Sequence, residues 1–277
     1  MLDELARFNR ERWEELAKAG VLFSRPKLNL DAVSASKLVD PEGMMDDPAG
    51  RDVLCLAGGG GQQSAAFALL GANVTVLDLS DTQLARDRQA AEHYGRSVRT
   101  IQGDMRDLSC LGPASFDLVW HAHSLNFVPD VEVVFDQVHD VLRAGGQYRL
   151  NCWSPFSHGM DQDSWNGEGY VLAHPYVEGQ EVPTGRFWEV LPWDRPDPSN
   201  EESQEPQESL PPVRIRGPRE FRHALGTLVN GLIQRGFILQ GLWEEDVGSL
   251  DARPGSWDHF KAYAPPWLTI WARLRTG

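Results

Sequence analysis

The chain has 277 residues, 41% of them hydrophobic, which suits one large domain, or one domain with an appended cover, around a real core. Its formal net charge of −14 argues against nucleic acid or an anionic membrane as the main partner. No apolar run approaches the roughly 18 residues of a membrane span, Asp3, Glu4 and Arg7 interrupt the N-terminus where a signal peptide would be apolar, and the scattered Cys55, Cys110 and Cys152 lack both metal spacing and the even count of a disulfide framework. The expectation is a cytoplasmic protein with buried thiols and no metal centre.

In chain order, Leu2 to Ala19 reads as an amphipathic helix with Leu2, Leu5, Ala6, Asn9, Trp13, Leu16 and Ala17 on one side. Val21-Leu22-Phe23-Ser24-Arg25-Pro26 follows, then a polar stretch to Arg51. Val53-Leu54-Cys55-Leu56 has the length and type of a strand. Gly58 to Gly61 come next, then a small apolar helix from about Gln62 to Leu70, stopped by Gly71. A second apolar run, Val74 to Leu77, ends in Asp78. Glycines let the backbone approach a ligand closely, the helix N-terminus offers unpaired N–H groups, and an acid at the tip of the second strand can accept both hydroxyls of a ribose. A nicotinamide dinucleotide site would want G-x-G-x-x-G here. Gly58 and Gly60 are followed by Gln63, and Gly59 and Gly61 by Ser64, so the third glycine is missing in both registers.

Ser80 to Gln83 forms a capping box for a helix that runs to about Tyr94 and stops at Gly95. Val98 to Ile101 is a third strand leading into Gly103-Asp104-Met105. Phe116 to Ala122, including His121, is a fourth. Asp130 caps a helix with Val131, Val134, Phe135, Val138, Val141 and Leu142 on its apolar face. Gly145-Gly146 precedes a fifth strand, Gln147 to Trp153. Strands and helices that alternate in this way predict a parallel sheet with helices on both faces. Gly58 to Gly61, Asp78, Gly103 to Met105 and His121 all fall at carboxyl ends of strands, the edge where such sheets bind ligands. Residues 153 to 193 are rich in aromatic rings: Trp153, Phe156, Trp165, Tyr170, Tyr176, Phe187, Trp188 and Trp193. Asp194 to Pro212 is acidic and polar, of a composition that buries little. A helix of about 15 residues is expected from Arg219 to Gly236, then strands over Phe237–Trp243 and Trp267–Leu274.

The stretch Arg51 to Ser80 resembles the first motif of class I S-adenosylmethionine-dependent methyltransferases, an acid followed by three alternating glycines. Cys55 stands at the acid, Ala57 at the first glycine, and Gly59 and Gly61 at the others. Gly103-Asp104-Met105 resembles the family's adenine-binding turn, and Phe116 to Ala122 its fourth motif. Val141 to Gly146 resembles the helix-ending Leu-Arg-Pro-Gly-Gly, with Ala144 in place of proline. Cys55 to Gln63, with Gln-Gln after the glycines, looks like a bacterial subset. The resemblance spans Val53 to Leu274 and implies an α/β fold: a seven-stranded, mostly parallel, doubly wound sheet with the last strand antiparallel. Around it are expected an N-terminal helical segment (1–50), a cofactor-binding half (51–153), an inserted substrate lid with a mobile acidic loop (154–218) and a C-terminal part completing the sheet (219–277).

The resemblance further implies S-adenosylmethionine as cofactor and methyl transfer to an O, N or C acceptor on a small molecule, in a possible homodimer. Arg25 would meet the methionine carboxylate, with Ala57, Gly58, Gly59, Gly61, Gln62 and Gln63 forming the loop. Asp78 and Leu79 would take the ribose, Gly103, Asp104 and Met105 the adenine, and His121 would face the methionine part. A general base is needed only for a hydroxyl or a protonated amine. His121 and His123 at the sheet edge, and Tyr170 and His174 in the lid, are the candidates, with His223 just before the last helix. Two other readings stay open: an NAD(P)-dependent oxidoreductase, and a non-catalytic S-adenosylmethionine-binding regulator. The departures at Cys55 and Ala57 would suit the regulator, whereas Asp78 and Asp104 speak against a decayed site.

Overall fold

The computed structural model describes residues 2–183, 187–190, 213–245 and 248–276. In chain order the first half holds α1 (Glu4–Lys18), α2 (Ala32–Val39), β1 (Asp52–Leu56), α3 (Gln63–Leu69), β2 (Asn73–Asp78), α4 (Asp81–His93), β3 (Arg99–Gln102), β4 (Phe116–His121), α5 (Val131–Val141) and β5 (Leu142–Trp153). The second half holds β6 (Glu181–Val182), β7 (Phe187–Val190), β8 (Val213–Arg216), β9 (Glu220–Phe221), α6 (Leu225–Gln234), β10 (Phe237–Glu245), α7 (Trp257–Tyr263) and β11 (Trp267–Leu274).

Seven strands form one sheet in the order β10-β11-β5-β4-β1-β2-β3. β1 pairs parallel with β2 and β4, β2 with β3, and β4 with β5. β11 lies antiparallel between β5 and β10. The expected mostly parallel, seven-stranded sheet with an antiparallel last strand is what forms. Strand order reverses between β1 and β4, and there the carboxyl ends leave a crevice.

The apolar run in β1 is continuous because both faces of this strand are covered. Successive side chains alternate across the sheet. Leu54 and Leu56 join Val134, Phe135 and Val138 of α5 and Leu228 and Leu232 of α6. Val53 and Cys55 join Ala35 and Val39 of α2 and Ala66 and Phe67 of α3 on the other face. Among the described residues no helix is long and apolar enough to cross a membrane.

Three elements differ from expectation. The polar stretch before Arg51 contains α2, which starts at a capping box between Asp31 and Ser34 and buries only Ala35 and Val39. Two buried positions in eight residues are too few to register as a helical period. The C-terminal helix begins at Leu225 rather than Arg219. Distant partners hold the preceding backbone extended: Asn9 accepts from the Arg219 N–H at 2.9 Å, Asn126 donates to the Phe221 carbonyl at 3.1 Å, and Gln180 accepts from the Arg222 N–H at 2.9 Å. Residues 257–263 form α7, capped by Ser256.

The aromatic stretch does not act as one unit. Trp165 and Tyr170 pack on α7: the Tyr170 hydroxyl lies 2.6 Å from His259 Nδ1, and the Tyr170 ring is 5.1 Å from Phe260. Phe156 and Tyr176 stack on each other at 5.6 Å and are largely exposed. Trp193 and the acidic run from Asp194 to Pro212 lie outside the described residues.

Cys55 and Cys152 are buried, but Cys110 is exposed, so only two of the three expected buried thiols are found. Burial pushes the Cys55 thiol far up and that of Cys152 to about 12, which keeps both protonated and unreactive. A thiol reagent should therefore modify one cysteine of the native protein, Cys110. Cys55→Ser should cost about 1–2 kcal/mol. Rapid native labelling of Cys55 would contradict the packing role.

Candidate active site

The glycine turn is shaped by what lies against it. Gly59 sits where a Cβ would come within 2.6 Å of Gln83 Cβ and 2.9 Å of Asp78 Oδ2. Gly61 has φ 77°, and its Cβ would lie 2.7 Å from the Arg86 carbonyl oxygen. Only glycine fits both positions.

Carboxylates anchor the turn, and one of them comes from an unexpected place. Asp78 Oδ2 accepts the Gly59 N–H at 3.1 Å, and its Oδ1 accepts the Ser80 N–H at 2.8 Å. Asp87, inside α4, accepts the Gly61 N–H at 2.9 Å and the Ser64 hydroxyl at 2.5 Å on Oδ1, and the Gly60 N–H at 3.2 Å on Oδ2. An acid is absent at Cys55, but Asp87 carries out the anchoring from the next helix. The signal for it is spacing: Leu84, Asp87 and Ala91 lie on one helix face, and all three are buried. Burial raises the Asp87 carboxyl to about 7 although the loop donors favour its ionised form, with Asp78 adding repulsion. Burial likewise raises Asp78 to about 6.

The segment after α1 folds over this loop. The Lys27 N–H donates to the Gly61 carbonyl at 3.0 Å. Arg86 Nη1 donates to the Ser24 carbonyl at 2.8 Å, and Gln62 Nε2 to the Arg25 carbonyl at 3.1 Å. Below it opens a cavity of about 930 Å³. Its wall includes Arg25, Ala57, Gly58, Gly59, Gln62, Gln63, Asp78, Leu79, Gly103 and Met105, so ten of the expected cofactor contacts converge. The wall also includes Trp13, Phe23, His123, Phe127, Trp153, Met160, Trp188, Glu220 and Trp267.

Gln83 is also on the wall. The capping box read from the sequence is only half formed. Ser80 Oγ accepts the Gln83 N–H at 3.1 Å, but the Ser80 N–H goes to Asp78, and Gln83 turns inward. Its Oε1 is buried and, among the described residues, has no hydrogen-bond partner. An orphaned acceptor and a carboxylate, beside a glycine where any side chain would clash, fit a ligand with adjacent hydroxyls. S-adenosylmethionine carries such a ribose, so the residues present fit that cofactor.

Five candidates stand elsewhere. Gly61 is off the wall, its N–H turned to Asp87. Asp104 is off the wall: Arg106 binds both its oxygens, at 3.1 and 2.6 Å, and also grips Asp3 at 2.8 and 3.0 Å. Only its neighbours Gly103 and Met105 face the cavity. His121 pairs with Leu56 in register and points into the opposite layer. There it is fully buried between the Tyr148 and Ser124 hydroxyls, both at 2.9 Å, and burial drops its pKa to about 3. Tyr170 is bound to α7. His174 lies off the cavity wall, its carbonyl oxygen accepting from Arg222 at 3.0 Å. His123 does line the cavity, with Nδ1 at 3.2 Å from Asn151 Oδ1; burial drops its pKa to about 4. His223 is buried and bound to Glu178 at 2.8 Å.

Comparison with known proteins identifies the class. Residues 54–150 match the family model described as a methyltransferase domain. Residues 54–150 therefore carry a methyltransferase domain, and the chain resembles class I S-adenosylmethionine-dependent methyltransferases in sequence and fold. It is 29% identical over 260 residues to the uncharacterized methyltransferase YbaJ of Bacillus subtilis, covering 89% of this chain and 93% of that protein. It is 36% identical over 99 residues to a ubiquinone biosynthesis O-methyltransferase of Azotobacter vinelandii, covering 36% of this chain and 43% of that protein; less than half of that relative's length is therefore spanned. The fold matches the crystal structure of an S-adenosylmethionine-dependent methyltransferase from Mesorhizobium loti with a TM-score of 0.63 and 22% identity, over 89% of this chain and all of that one.

Proposed function

We propose that the chain methylates a small molecule with an apolar, planar body, which sits among the aromatic side chains at the far end of the cavity while S-adenosylmethionine occupies the glycine-loop end. The observation that carries this reading is that the glycine-loop residues and the aromatic side chains line one cavity. Trp13, Phe127 and Trp188 meet edge to face at 5.2 and 5.5 Å, and such walls favour flat apolar ligands over highly charged ones. The acidic net charge, −14, further favours a small molecule over nucleic acid. Three free cysteines suit a reducing compartment such as the cytoplasm.

The bound cofactor supplies a methyl group on a sulfonium that already carries its leaving group. The protein's task is then alignment and exclusion of water. Asp78 and Gln83 hold the ribose, the Gly58–Gly59 backbone and Gln63 take the polar methionine end, and Gly103 and Met105 bound the adenine. Arg25 is placed at the cavity mouth, its Nε donating to the Gly20 carbonyl at 2.8 Å. We extend the lid idea only to Trp153, Met160 and Trp188, since Trp165 and Tyr170 serve α7.

Thermal unfolding with S-adenosylmethionine, S-adenosylhomocysteine, NAD and NADP checks the reading. The first two at about 100 times Kd should stabilise the fold by about 2.7 kcal/mol and raise Tm by about 5–10 °C. A shift with a nicotinamide dinucleotide and none with S-adenosylhomocysteine would refute it.

A further inference from the structure

Glu220 is a carboxylate in an otherwise aromatic chamber. It belongs to β9, is 6% exposed, and lines the cavity. Its Oε2 lies 3.3 Å from His158 Nε2. Among the described residues its Oε1 has no hydrogen-bond partner, so one lone-pair face remains for a ligand. A buried carboxylate with a single partner calls for an explanation, because each unpaired charge-bearing atom is costly.

The backbone fixes the protonation pattern. Asn126 Oδ1 accepts the Trp153 N–H at 2.8 Å, and its Nδ2 donates to the Phe221 carbonyl at 3.1 Å. These two bonds set which way the amide faces. Nδ2 therefore also donates to His158 Nδ1, at 3.3 Å. That nitrogen must be bare, so the proton of neutral His158 is on Nε2 and points at Glu220. The ring stays neutral because burial, with Arg222 and His223 nearby, drops its pKa to about 3. It is stacked on Trp153 with planes 5° apart, and Arg222 holds its carbonyl oxygen. The result is a rigid Asn–His–Glu relay that orients one carboxylate oxygen into the chamber.

We propose that Glu220 is the proton acceptor of this site and that the acceptor substrate is an aryl hydroxyl compound; this rests on the methyl-transfer reading above. The aryl body packs against Trp13, Phe127, Trp188 and Trp267, and its O–H donates to Glu220 Oε1. In the transfer step the acceptor oxygen forms its bond to the methyl carbon. The carbon–sulfur bond breaks with its electron pair going to sulfur. The hydroxyl proton passes to the Glu220 carboxylate, and from there to water on product release. His123 also lines the cavity, but burial drops its pKa to about 4, which suits it poorly to take a proton at neutral pH. Burial alone lifts the Glu220 carboxyl to about 8, so it takes a proton readily and becomes available as the base as pH rises toward 8, the pH at which the transfer should be assayed.

The test uses three probes of one shape: 2-naphthol, naphthalene and 2-naphthalenethiol. Binding to the full-length protein saturated with S-adenosylhomocysteine is read by quenching of tryptophan fluorescence. Wild type should bind 2-naphthol about tenfold tighter than naphthalene. Glu220→Gln should erase that preference, because His158 holds the amide oxygen and turns its NH2 toward the chamber. Transfer of tritiated methyl to 2-naphthol should fall about 100-fold in Glu220→Gln. The rate ratio of naphthol to naphthalenethiol should fall with it, since a thiol needs less help to ionise. Glu220→Asp should recover part of the naphthol rate. The proposal is overturned if wild type binds 2-naphthol no better than naphthalene, if it transfers no methyl to 2-naphthol, or if Glu220→Gln keeps the wild-type naphthol rate. The wild-type comparison stands even if a variant fails to fold. Failure of wild type to bind S-adenosylhomocysteine at all would instead overturn the methyl-transfer reading, which the separate binding measurement distinguishes.

Discussion

Asp87→Asn should weaken S-adenosylhomocysteine binding by about 10- to 100-fold, although Asp87 is not on the cavity wall. The side chain accepts from Gly60, Gly61 and Ser64, and an amide would present its NH2 to one of those donors. Hydrogen bonds to a charged group carry about 1.5–3 kcal/mol each, and here the loss falls on the backbone that shapes the cofactor cradle. The residue acts by positioning the loop, so the decisive readout is an exchange of anchors. Cys55→Asp alone puts a second carboxylate against Asp87 and should destabilise. In the Asp87→Asn background it should regain affinity, with a coupling of about 0.5–3 kcal/mol between the two sites. Strictly additive effects on Kd would remove the anchoring role.

The same residue sets a pH dependence. The folded pKa values of Asp87, about 7, and Asp78, about 6, lie above the ordinary 3.8. Between these limits the folded ligand-free protein binds more protons than the unfolded chain. Its stability therefore contains a contribution that is present below about pH 4 and is lost as pH rises toward 7. Asp87→Asn should flatten the upper part of that fall.

Asp78→Asn should cost about 1.5–3 kcal/mol in S-adenosylhomocysteine affinity, about 10- to 100-fold, with a smaller effect on Tm. Asparagine is the informative substitution. Alanine would strip the Gly59 and Ser80 N–H groups of their acceptor and mix stability with binding. Ribose hydroxyls donate to an ionised carboxylate, so binding pulls the Asp78 pKa down from about 6. Wild-type affinity should fall about tenfold between pH 7 and pH 5. Asp87 and Glu14 are the charged groups that act on Asp78, and Asp87 titrates in the same range. The comparison is therefore wild type against Asp78→Asn. An affinity equal in both proteins across this range would dismiss Asp78 as the ribose ligand.

Local features were legible before any fold was known. The continuous apolar runs of β1 and β2, the glycines between them and the acid Asp78 all lie between Asp52 and Asp78, and steric and hydrogen-bonding rules act at that range. Ser80 shows the limit. Its cap was readable, yet its N–H goes to Asp78, and only that choice frees Gln83 to face the cavity.

The sequence by itself determined the sheet, its helices on both faces, and the crevice edge where the glycine loop, Asp78 and Gly103 meet, because hydrophobic periodicity and backbone sterics are local properties. Tertiary structure alone decided which polar side chains enter the crevice. His121 closes β4 and His123 lies two residues beyond it, and the register of β4 on β1 sends the first into the opposite layer. Asp104 was claimed by Arg106 through a contact that also reaches back to Asp3. Asp87 bonds Gly61 across 26 positions and Glu220 meets His158 across 62. Such pairs become neighbours only when the chain closes, and burial then sets their charge.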